Sequence, residues 1–226
     1  MASDRGAGAG GGMSQNRSTA VMQRRVEAHD SLDDFPTPPW ATRALCRWLD
    51  ELSRPPLELM TCREPAANRG YMVAPLREAF HHVEASDVHD YGAGFPVADF
   101  LFPGPLAEVD WTITNPPFRL AEQFIARAME TSRIGVAMIV RGAFLEGVGR
   151  YERLFAVNPP SDVLQFSERV VMHKGRLAPE GSTATAYAWL VWIKGCEDVT
   201  RLRWIAPCRK RLERDTDYVA PMVEAA

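Results

Sequence analysis

Apolar positions recur along this chain with two periods, and the two periods alternate in order. Helical spacing runs through WATRALCRWLDEL and RLAEQFIARAMET, and YMVAPLREAF reads as a shorter helix. Short strands are predicted for LELMTCRE, HHVEAS, DWTIT and IGVAMIV. An apolar run such as IGVAMIV is typical of a central parallel strand, because such a strand is buried on both faces.

This alternation predicts an α/β fold with a doubly wound, mostly parallel sheet and right-handed crossovers. Near the C-terminus, DVLQF, AYAWLVWIK and RLRWIAP read as strands with no helix between them. Strands joined without a crossover helix pair antiparallel. We therefore expect a Rossmann-like sheet with an antiparallel C-terminal edge. The preceding stretch, FLEGVGRYERLFAV, predicts a helix weakened by two glycines.

Composition divides the chain into three parts. Residues 1–31 include GAGAGGG, which predicts a flexible linker or tag remnant, with Met13 as a candidate natural start. Residues 32–207 hold the periodic elements and are expected to form one domain, since 226 residues fit a single-domain length. Residues 208–226 are expected to form a C-terminal tail.

The amino-acid composition narrows the class of protein. Hydrophobic residues make up 46% and charged residues 24%, which allows a sizeable buried core. The net charge of -3 gives no general basic field, although a local arginine-rich face still attracts phosphate. The four cysteines lack Cys-x-x-Cys spacing, which favours a reduced, cytoplasmic chain without a metal site. The sequence also predicts no membrane span and no signal peptide.

The stretch DWTITNPPFRL carries the sharpest candidate for chemistry. A predicted strand delivers Asn115 to its carboxyl end, and Pro116 and Pro117 follow with a fixed φ and no N–H. The side-chain oxygen of Asn115 and the carbonyl of Pro116 can then accept hydrogen bonds from one –NH2 group. Phe118 can lie against the face of a planar base. The alternative is that the prolines only end a strand.

Such a pair of acceptors suits an exocyclic amine on a nucleobase. The amine is a poor nucleophile because its lone pair is delocalised into the ring. Two fixed acceptors draw its hydrogens out of the ring plane and restore the lone pair as a methyl group arrives, so no strong base is required. Asn-Pro-Pro recurs at 158–160, but there it follows a helix and precedes Ser161, which predicts a helix-terminating loop.

Two strand ends indicate a ligand at the same edge of the sheet. REPAANRGYM (63–72) joins a strand to a helix, where open α/β sheets bind ligands. In this stretch Gly70 permits close backbone approach, and Glu64 can bond a ligand amine or order the turn. Asp87 follows about 20 residues later, where a carboxylate accepts from ribose hydroxyls. The plainer alternatives are an ordinary loop, and a helix N-cap or solvated acid at Asp87.

Two weaker signals are consistent with the same ligand. Asp99 and Phe100 offer a carboxylate and a ring to an adenine, or they are a loop acid beside a core side chain. Thr37, in FPTPPW, precedes a helix and can bind a ligand carboxylate at the helix N-terminus, or cap that helix.

In this order, the five stretches FPTPPW, EPAANRGYM, ASDVHDYG, DFL and NPPF resemble the motifs of S-adenosylmethionine-dependent adenine-N6 DNA methyltransferases. The likeness is to the small class I enzymes of phages and prophages. It runs from Phe35 to about Lys194 and includes RGAFLEG and FSERVVMHKGR. The resemblance implies transfer of a methyl group from S-adenosyl-L-methionine to the exocyclic N6 amine of adenine in DNA.

The resemblance also assigns roles residue by residue. It implies a target-amine site formed by Asn115, Pro116, Pro117 and Phe118. The implied cofactor contacts are Thr37, Pro38, Glu64, Pro65, Ala66, Asn68, Gly70, Asp87, Asp99 and Phe100. One position departs from the pattern, because the family usually has glycine where this chain has Asn68. Asparagine tolerates a positive φ better than other non-glycine residues.

Access to a paired adenine requires base flipping or a single-stranded substrate. Basic side chains follow the predicted catalytic strand, and the long polar loop ERVVMHKGRLAPEGSTAT is a candidate DNA contact. The predicted nucleic-acid contacts are Arg141, Arg169, Lys174 and Arg176. A solvated charged face is the alternative for each of them. Without a large separate recognition domain, we expect short or relaxed sequence specificity, in a monomer or a homodimer.

Other functions share the Asn-Pro-Pro-aromatic pattern. Enzymes that methylate guanine-N2 in RNA or glutamine side chains in proteins use the same amine chemistry, and cytosine-N4 enzymes more often have serine before the prolines. The FPTPPW entry and the FLEG continuation favour DNA adenine. From a different class, a catalytically inactive DNA-binding relative is the alternative that the Asn68 departure favours.

Overall fold

The computed structural model describes residues 33–196 and 199–218. The segment predicted to be flexible, residues 1–31, lies outside the described residues together with Met13. Seven strands are described: β1 Thr61–Glu64, β2 His82–Ala85, β3 Val109–Thr114, β4 Ser132–Arg141, β5 Asp162–Phe166, β6 Tyr187–Ile193 and β7 Arg201–Ile205. The α-helices are α1 Pro39–Leu52, α2 Val73–Ala79, α3 Ala121–Thr131, α4 Val148–Arg150 and α5 Arg209–Leu212.

The strands form one sheet in the order β2-β1-β3-β4-β6-β5-β7. Neighbours from β2 to β4 are parallel, whereas β6 runs antiparallel to both β4 and β5. The α/β prediction with a mostly parallel sheet and an antiparallel C-terminal part is therefore confirmed. The antiparallel strand is β6, which is the third strand from this edge of the sheet. The two strands outside it, β5 and β7, pair in parallel with each other.

The helices begin and end where the sequence provides the signals. α1 starts at Pro39, whose missing N–H costs nothing in the first turn, and its buried face includes Trp40 and Leu45. The weakened helix after β4 is confirmed as three short pieces: a 3-10 turn at Gly142–Leu145, α4, and a π turn at Tyr151–Phe155. Gly147 separates the first two with a φ of 114°, a left-handed conformation that suits glycine.

Part of the segment expected as a C-terminal tail packs against α1. The buried guanidinium of Arg43 donates to the carbonyl of Leu212 at 2.8 Å and to both carboxylate oxygens of Asp217 at 2.7 Å. Glu78 on α2 accepts two further hydrogen bonds from Arg43. This paired, buried cation joins α1, α2 and the chain after β7.

Large apolar side chains fill both faces of the sheet, and one close approach fixes the centre. Trp111 on β3 and Trp192 on β6 are buried on either side of β4. A Cβ added to Gly135 on β4 would lie 2.6 Å from the Trp111 ring and 2.6 Å from the Trp192 carbonyl. Glycine is therefore needed at this position for packing rather than for its φ.

The parallel strands bring three predicted site segments to one edge. β1 pairs in parallel with β2 and with β3, so the chain after Glu64, after Ala85 and after Thr114 emerges on the same side of the sheet. Among the described helices, none is both long and apolar enough to cross a membrane. Within residues 33–196 and 199–218, no group of three His, Cys, Asp or Glu side chains is placed to hold a metal ion.

Candidate active site

Asn115 follows β3 directly, and its amide has a defined orientation. Nδ2 donates to the carbonyl of Phe35 at 2.9 Å and contacts Sδ of Met172 at 3.9 Å. In the described part of the chain, no donor reaches the opposite amide atom, Oδ1. The half-buried Asn115 therefore keeps its nitrogen against the protein and presents an oxygen acceptor, as the amine-binding prediction requires.

The aromatic residue of NPPF is held by its backbone. The N–H of Phe118 donates to Oδ2 of Asp33 at 2.9 Å. Its ring lies 5.5 Å from the Phe35 ring, at an interplanar angle of 48°. Two rings from distant segments thus form an aromatic pair next to Asn115.

Arg141, at the end of β4, lies on this aromatic pair. Its guanidinium carbon is 3.7 Å from the centre of the Phe118 ring and 5.1 Å from that of Phe35. Nε of Arg141 is buried and makes no hydrogen bond with any described residue. Burial raises the pKa of Tyr187, the β6 neighbour of Arg141, although the arginine charge opposes this shift. Arg141 is a predicted DNA contact, and the structure places it on the Phe35 and Phe118 rings.

The other predicted DNA contacts lie apart from Arg141, in the loop between β5 and β6. Arg169, Lys174 and Arg176 are all exposed. The loop is tied down at Gly175, whose N–H donates to the carbonyl of Asp34 at 2.8 Å. The structure thus divides the four predicted residues into three surface cations and one cation stacked on aromatic rings.

Glu64, the last residue of β1, is completely buried, and one of its oxygens has no partner. Oε1 accepts from the Thr114 hydroxyl and from the backbone N–H of Ala66, whereas no described residue bonds Oε2. Burial raises the pKa of Glu64 to about 8, against the lowering effect of those two hydrogen bonds. Such a carboxyl is held neutral at neutral pH unless a positive ligand group reaches it.

Thr37 also has a buried hydroxyl that no described residue bonds. Its Oγ1 makes no hydrogen bond with the described residues, and the residue is 2% exposed. The N-cap position of α1 is Pro38, which offers no side-chain cap, so the capping alternative for Thr37 is not realised. Buried polar atoms are normally satisfied, so the unpaired oxygens of Glu64 and Thr37 are among the described groups that are open to a polar ligand.

The loop after β1 makes the left-handed turn that its sequence implies. Asn68 has a φ of 51°, and Gly70 has a φ of 86°. The backbone N–H of Asn68 donates to Asp87 at 2.9 Å, while its side-chain Nδ2 donates to Asp34 at 2.8 Å. The extra side chain is therefore bonded to the segment before α1. The other two loop residues that the resemblance assigns to the cofactor, Pro65 and Ala66, lie in the turn directly after β1.

Asp87, after β2, contacts both the loop after β1 and the segment that leads to Asp99. Its carboxylate accepts from the N–H groups of Asn68 and His89, each at 2.9 Å, and burial raises its pKa. A single parallel bridge joins Asp87 to Val97, and Ala98 donates to the Asp87 carbonyl at 2.8 Å. The chain that leads to Asp99 therefore runs beside the predicted ribose-binding carboxylate.

Asp99 and Phe100 differ in their surroundings. Asp99 is exposed, and its Oδ1 accepts from the N–H of Leu101 at 2.9 Å. Phe100 is buried, with its ring 5.1 Å from that of Phe124 on α3. The structure thus places Phe100 as a core side chain, the alternative weighed for it, and leaves the carboxylate of Asp99 accessible.

Sequence reasoning missed the residues that connect these loops. Asp33, Asp34 and Phe35 each contact a predicted site segment through a hydrogen bond. Asp33 and Asp34 are visible in the sequence only as an acidic pair directly before FPTPPW, and Phe35 is the first residue of that stretch. Met172, which contacts the Asn115 amide, lies in FSERVVMHKGR, where nothing in the sequence singles it out.

No family model and no curated protein matches the sequence. Among solved structures, the chain is similar to a Listeria monocytogenes protein assigned as a class I S-adenosylmethionine-dependent methyltransferase, with 13% identity and a TM-score of 0.57 over 82% of this chain and 68% of that one. It is also similar to a Pyrococcus horikoshii protein assigned as an RNA methyltransferase, with 17% identity and a TM-score of 0.53 over 72% and 88% of the two chains.

A third similar structure is the modification subunit assigned to a type I restriction enzyme of Vibrio vulnificus. Its identity to this chain is 18% and the TM-score is 0.53, over 87% of this chain and 51% of that one. The chain thus spans about half the length of the Vibrio subunit. Together with the strand order, these likenesses show that the chain has the class I methyltransferase fold.

Proposed function

We propose that this protein transfers a methyl group from S-adenosyl-L-methionine to the exocyclic N6 amine of adenine in DNA. The orientation of Asn115 carries the proposal. Because Nδ2 is held by the Phe35 carbonyl, Oδ1 is fixed as an acceptor beside the stiff Pro116–Pro117 backbone and the Phe118 ring. An acceptor pair next to an aromatic ring fits a planar base that carries an –NH2 group.

The loops at the sheet edge fit the proposed cofactor. Its methionine end carries an ammonium and a carboxylate, and Glu64 and Thr37 each present a buried, unpartnered oxygen. Asp87 is suited to the ribose hydroxyls, and the exposed Asp99 to the adenine amine. Gly70, with its positive φ, permits close backbone approach. When bound, S-adenosylmethionine supplies a methyl group on a positively charged sulfur.

The residues of the chain then act on the target amine. Oδ1 of Asn115 and the carbonyl oxygen of Pro116 accept hydrogen bonds from the two N–H groups of the target amine. These hydrogen bonds restore lone-pair density on the amine nitrogen. As the nitrogen gains its bond to the methyl carbon, it becomes positively charged, and the same two oxygens stabilise that charge until the extra proton passes to water. The sulfur that gives up the methyl group would leave as a neutral thioether. Phe118 holds the base plane, and the fixed backbone keeps the geometry from relaxing.

Asn68 does not favour the inactive alternative. The asparagine adopts the left-handed turn that glycine would adopt, and its side chain is bonded to Asp34. The choice of DNA over RNA rests on the motif resemblance of FPTPPW and the FLEG continuation. The similar folds include one protein assigned as an RNA methyltransferase and one assigned as the modification subunit of a restriction enzyme, so the fold itself does not separate the two substrates.

A methyl-transfer assay with labelled S-adenosylmethionine tests the proposal, with DNA and ribosomal RNA offered side by side. We expect label in DNA, recovered as N6-methyladenine, and none after Asn115→Ala. If only RNA is labelled, the substrate is RNA and the DNA proposal is wrong. If millimolar cofactor gives no heat in calorimetry, the methyltransferase proposal itself is wrong. If DNA is labelled, methylation-aware sequencing of DNA from expressing cells gives the recognition site.

A further inference from the structure

Three consecutive residues before α1 contact three separate loops of the candidate site. Asp34 is buried, and its carboxylate accepts from Nδ2 of Asn68 at 2.8 Å and from Nη1 of Arg69 at 3.0 Å. Both donors belong to the loop that fits the cofactor. The backbone carbonyl of Asp34 accepts from Gly175, in the loop that carries Lys174 and Arg176.

The residues on either side of Asp34 bond the target-amine loop instead. The carboxylate of Asp33 accepts from the N–H of Phe118 at 2.9 Å, and the carbonyl of Phe35 accepts from Nδ2 of Asn115 at 2.9 Å. The Asp33–Phe35 segment thus fixes both the acceptor amide and the aromatic ring. Because adjacent Cα atoms are only about 3.8 Å apart, these three residues cannot move far relative to one another.

Asn68 and Arg69 together join the cofactor loop to this segment, and Asn68 does so from the left-handed position of the turn. The turn needs a left-handed residue at this position, and glycine would satisfy the backbone equally well. Only a side chain can reach Asp34, and the Asn68 amide does so while its oxygen accepts from the N–H of Arg69 at 2.7 Å. The position where the chain departs from the resembling family is therefore one of the two positions that make the connection.

We propose that Asp33–Phe35 couples the two ligand sites, with Asp34 and Asn68 as positioning residues. A cofactor that orders the 63–72 loop also orders Asp34, and through its neighbours Asp33 and Phe35 it orders Phe118 and Asn115. Binding at each site therefore strengthens binding at the other by the same factor. The inference rests on the proposed function, because the ligands are those of the proposed reaction.

Calorimetry measures this factor directly in the full chain. The affinity for S-adenosylhomocysteine, which cannot donate a methyl group, is determined with and without a saturating adenine-containing single-stranded oligonucleotide. For the unmodified protein we expect the oligonucleotide to tighten binding by about tenfold, within the usual range of coupling between sites. In Asp34→Ala, which removes the acceptor of both loop residues, the factor should fall to near one. In Asn68→Gly, which leaves Arg69 bonded to Asp34, it should fall only in part.

The ratio separates coupling from a general structural role. Each ratio is formed within one variant, so a loss of affinity common to both measurements cancels. Asp50→Ala removes the same charge from an exposed position on α1 and should retain the tenfold factor. In the double variant, Asn68→Gly with Asp34→Ala, the two losses should not add, because they interrupt one connection.

The outcomes distinguish this inference from the proposed function. If S-adenosylhomocysteine or the oligonucleotide fails to bind the unmodified protein, the proposed function is wrong and the coupling falls with it. If both ligands bind but the factor is one, or persists unchanged in Asn68→Gly and Asp34→Ala, the coupling is wrong and the proposed function stands. A thermal unfolding midpoint for each variant confirms that folded protein is compared.

Discussion

The chain contains the sequence Asn-Pro-Pro twice, and the two copies have different surroundings. The first copy begins at Asn115, directly after β3, and its side-chain amide is bonded to Phe35 in a distant segment. The second begins at Asn158, after the π turn, and its backbone carbonyl accepts from Nε1 of Trp192 at 3.0 Å. The prolines of the second copy lead into β5 and so lie at the opposite end of a strand.

A buried acid lies near each copy, and the two acids differ in whether their carboxylate oxygens are paired. Thr114, directly before Asn115, bonds Glu64, which keeps one oxygen without a partner among the described residues. Asp162, two positions after Pro160, is equally buried, but Arg201 and Arg203 pair with it at 3.0 and 2.7 Å. One copy therefore has unsatisfied groups in its neighbourhood and the other has satisfied ones, which separates a candidate site from a structural turn.

Replacing the asparagine of each copy should give the largest contrast. Asn115→Ala removes the fixed acceptor, and we expect about a 100- to 1000-fold loss in the rate of methyl transfer, as when one preorganised polar group is deleted. Asn158→Ala retains the backbone carbonyl and should stay within about twofold of the unmodified protein. Label transfer to DNA measures both, and comparable losses in the two variants would remove the distinction between the copies.

The aromatic residue that only the first copy possesses gives the next largest effect. Phe118→Leu keeps an apolar side chain but removes the stacking face, which is worth about 1–3 kcal/mol per base. We therefore expect kcat/KM for DNA to fall by about 5- to 150-fold. Phe118→Tyr should retain most of the activity. Equal activity in all three proteins would show that the ring does not hold the base.

Glu64 predicts that cofactor affinity depends on pH. With its pKa raised to about 8 by burial, Glu64 is protonated at neutral pH and must lose that proton to pair with a ligand ammonium. Affinity for S-adenosylhomocysteine should therefore rise as pH increases toward about 8, by at most about tenfold per pH unit.

Glu64→Gln is the matched control for this pH dependence. Its amide cannot ionise, so the slope of affinity against pH should flatten. Calorimetry in two buffers of different ionisation enthalpy should also show one proton released on binding to the unmodified protein and fewer to Glu64→Gln. An unchanged slope in the variant would assign the pH dependence to another group.

The smallest effect is expected at the second copy and concerns stability alone. Trp192→Phe removes the hydrogen bond to Asn158, and we expect the free energy of unfolding to fall by about 0.5–1.5 kcal/mol, since a half-buried carbonyl loses its donor. Methyl transfer per folded molecule should not change. Chemical denaturation followed by the activity assay tests this, and a loss of activity without a loss of stability would contradict the structural role.

Local features of the candidate site could be predicted from the sequence because they depend on adjacent residues. Strand DWTIT ends at Asn115 because the prolines have no N–H for the next ladder bond, and Asn68 takes a positive φ because asparagine tolerates it. The weakened helix after β4 follows from its glycines. In each case the cause and its consequence lie within a few residues.

Contacts between distant segments could not be predicted in this way. Asp33 and Phe118 are 85 residues apart, and a single sequence gives no means of distinguishing this acid from a solvated one. Arg141 looked like a surface cation because its charge was visible in the sequence, whereas the aromatic pair on which it lies exists only after folding. The same limit applies to Phe100, whose burial depends on Phe124.

The position of β6 in the sheet has a consequence for the order of events during synthesis. β6 lies between β4 and β5, although it follows both of them in the chain. Until residues 187–193 leave the ribosome, β4 and β5 each present an open edge, and β5 has no partner that joins it to the first four strands. Exposed edges of this kind invite pairing with other chains. The nascent protein is thus most vulnerable to aggregation just before its sixth strand is added.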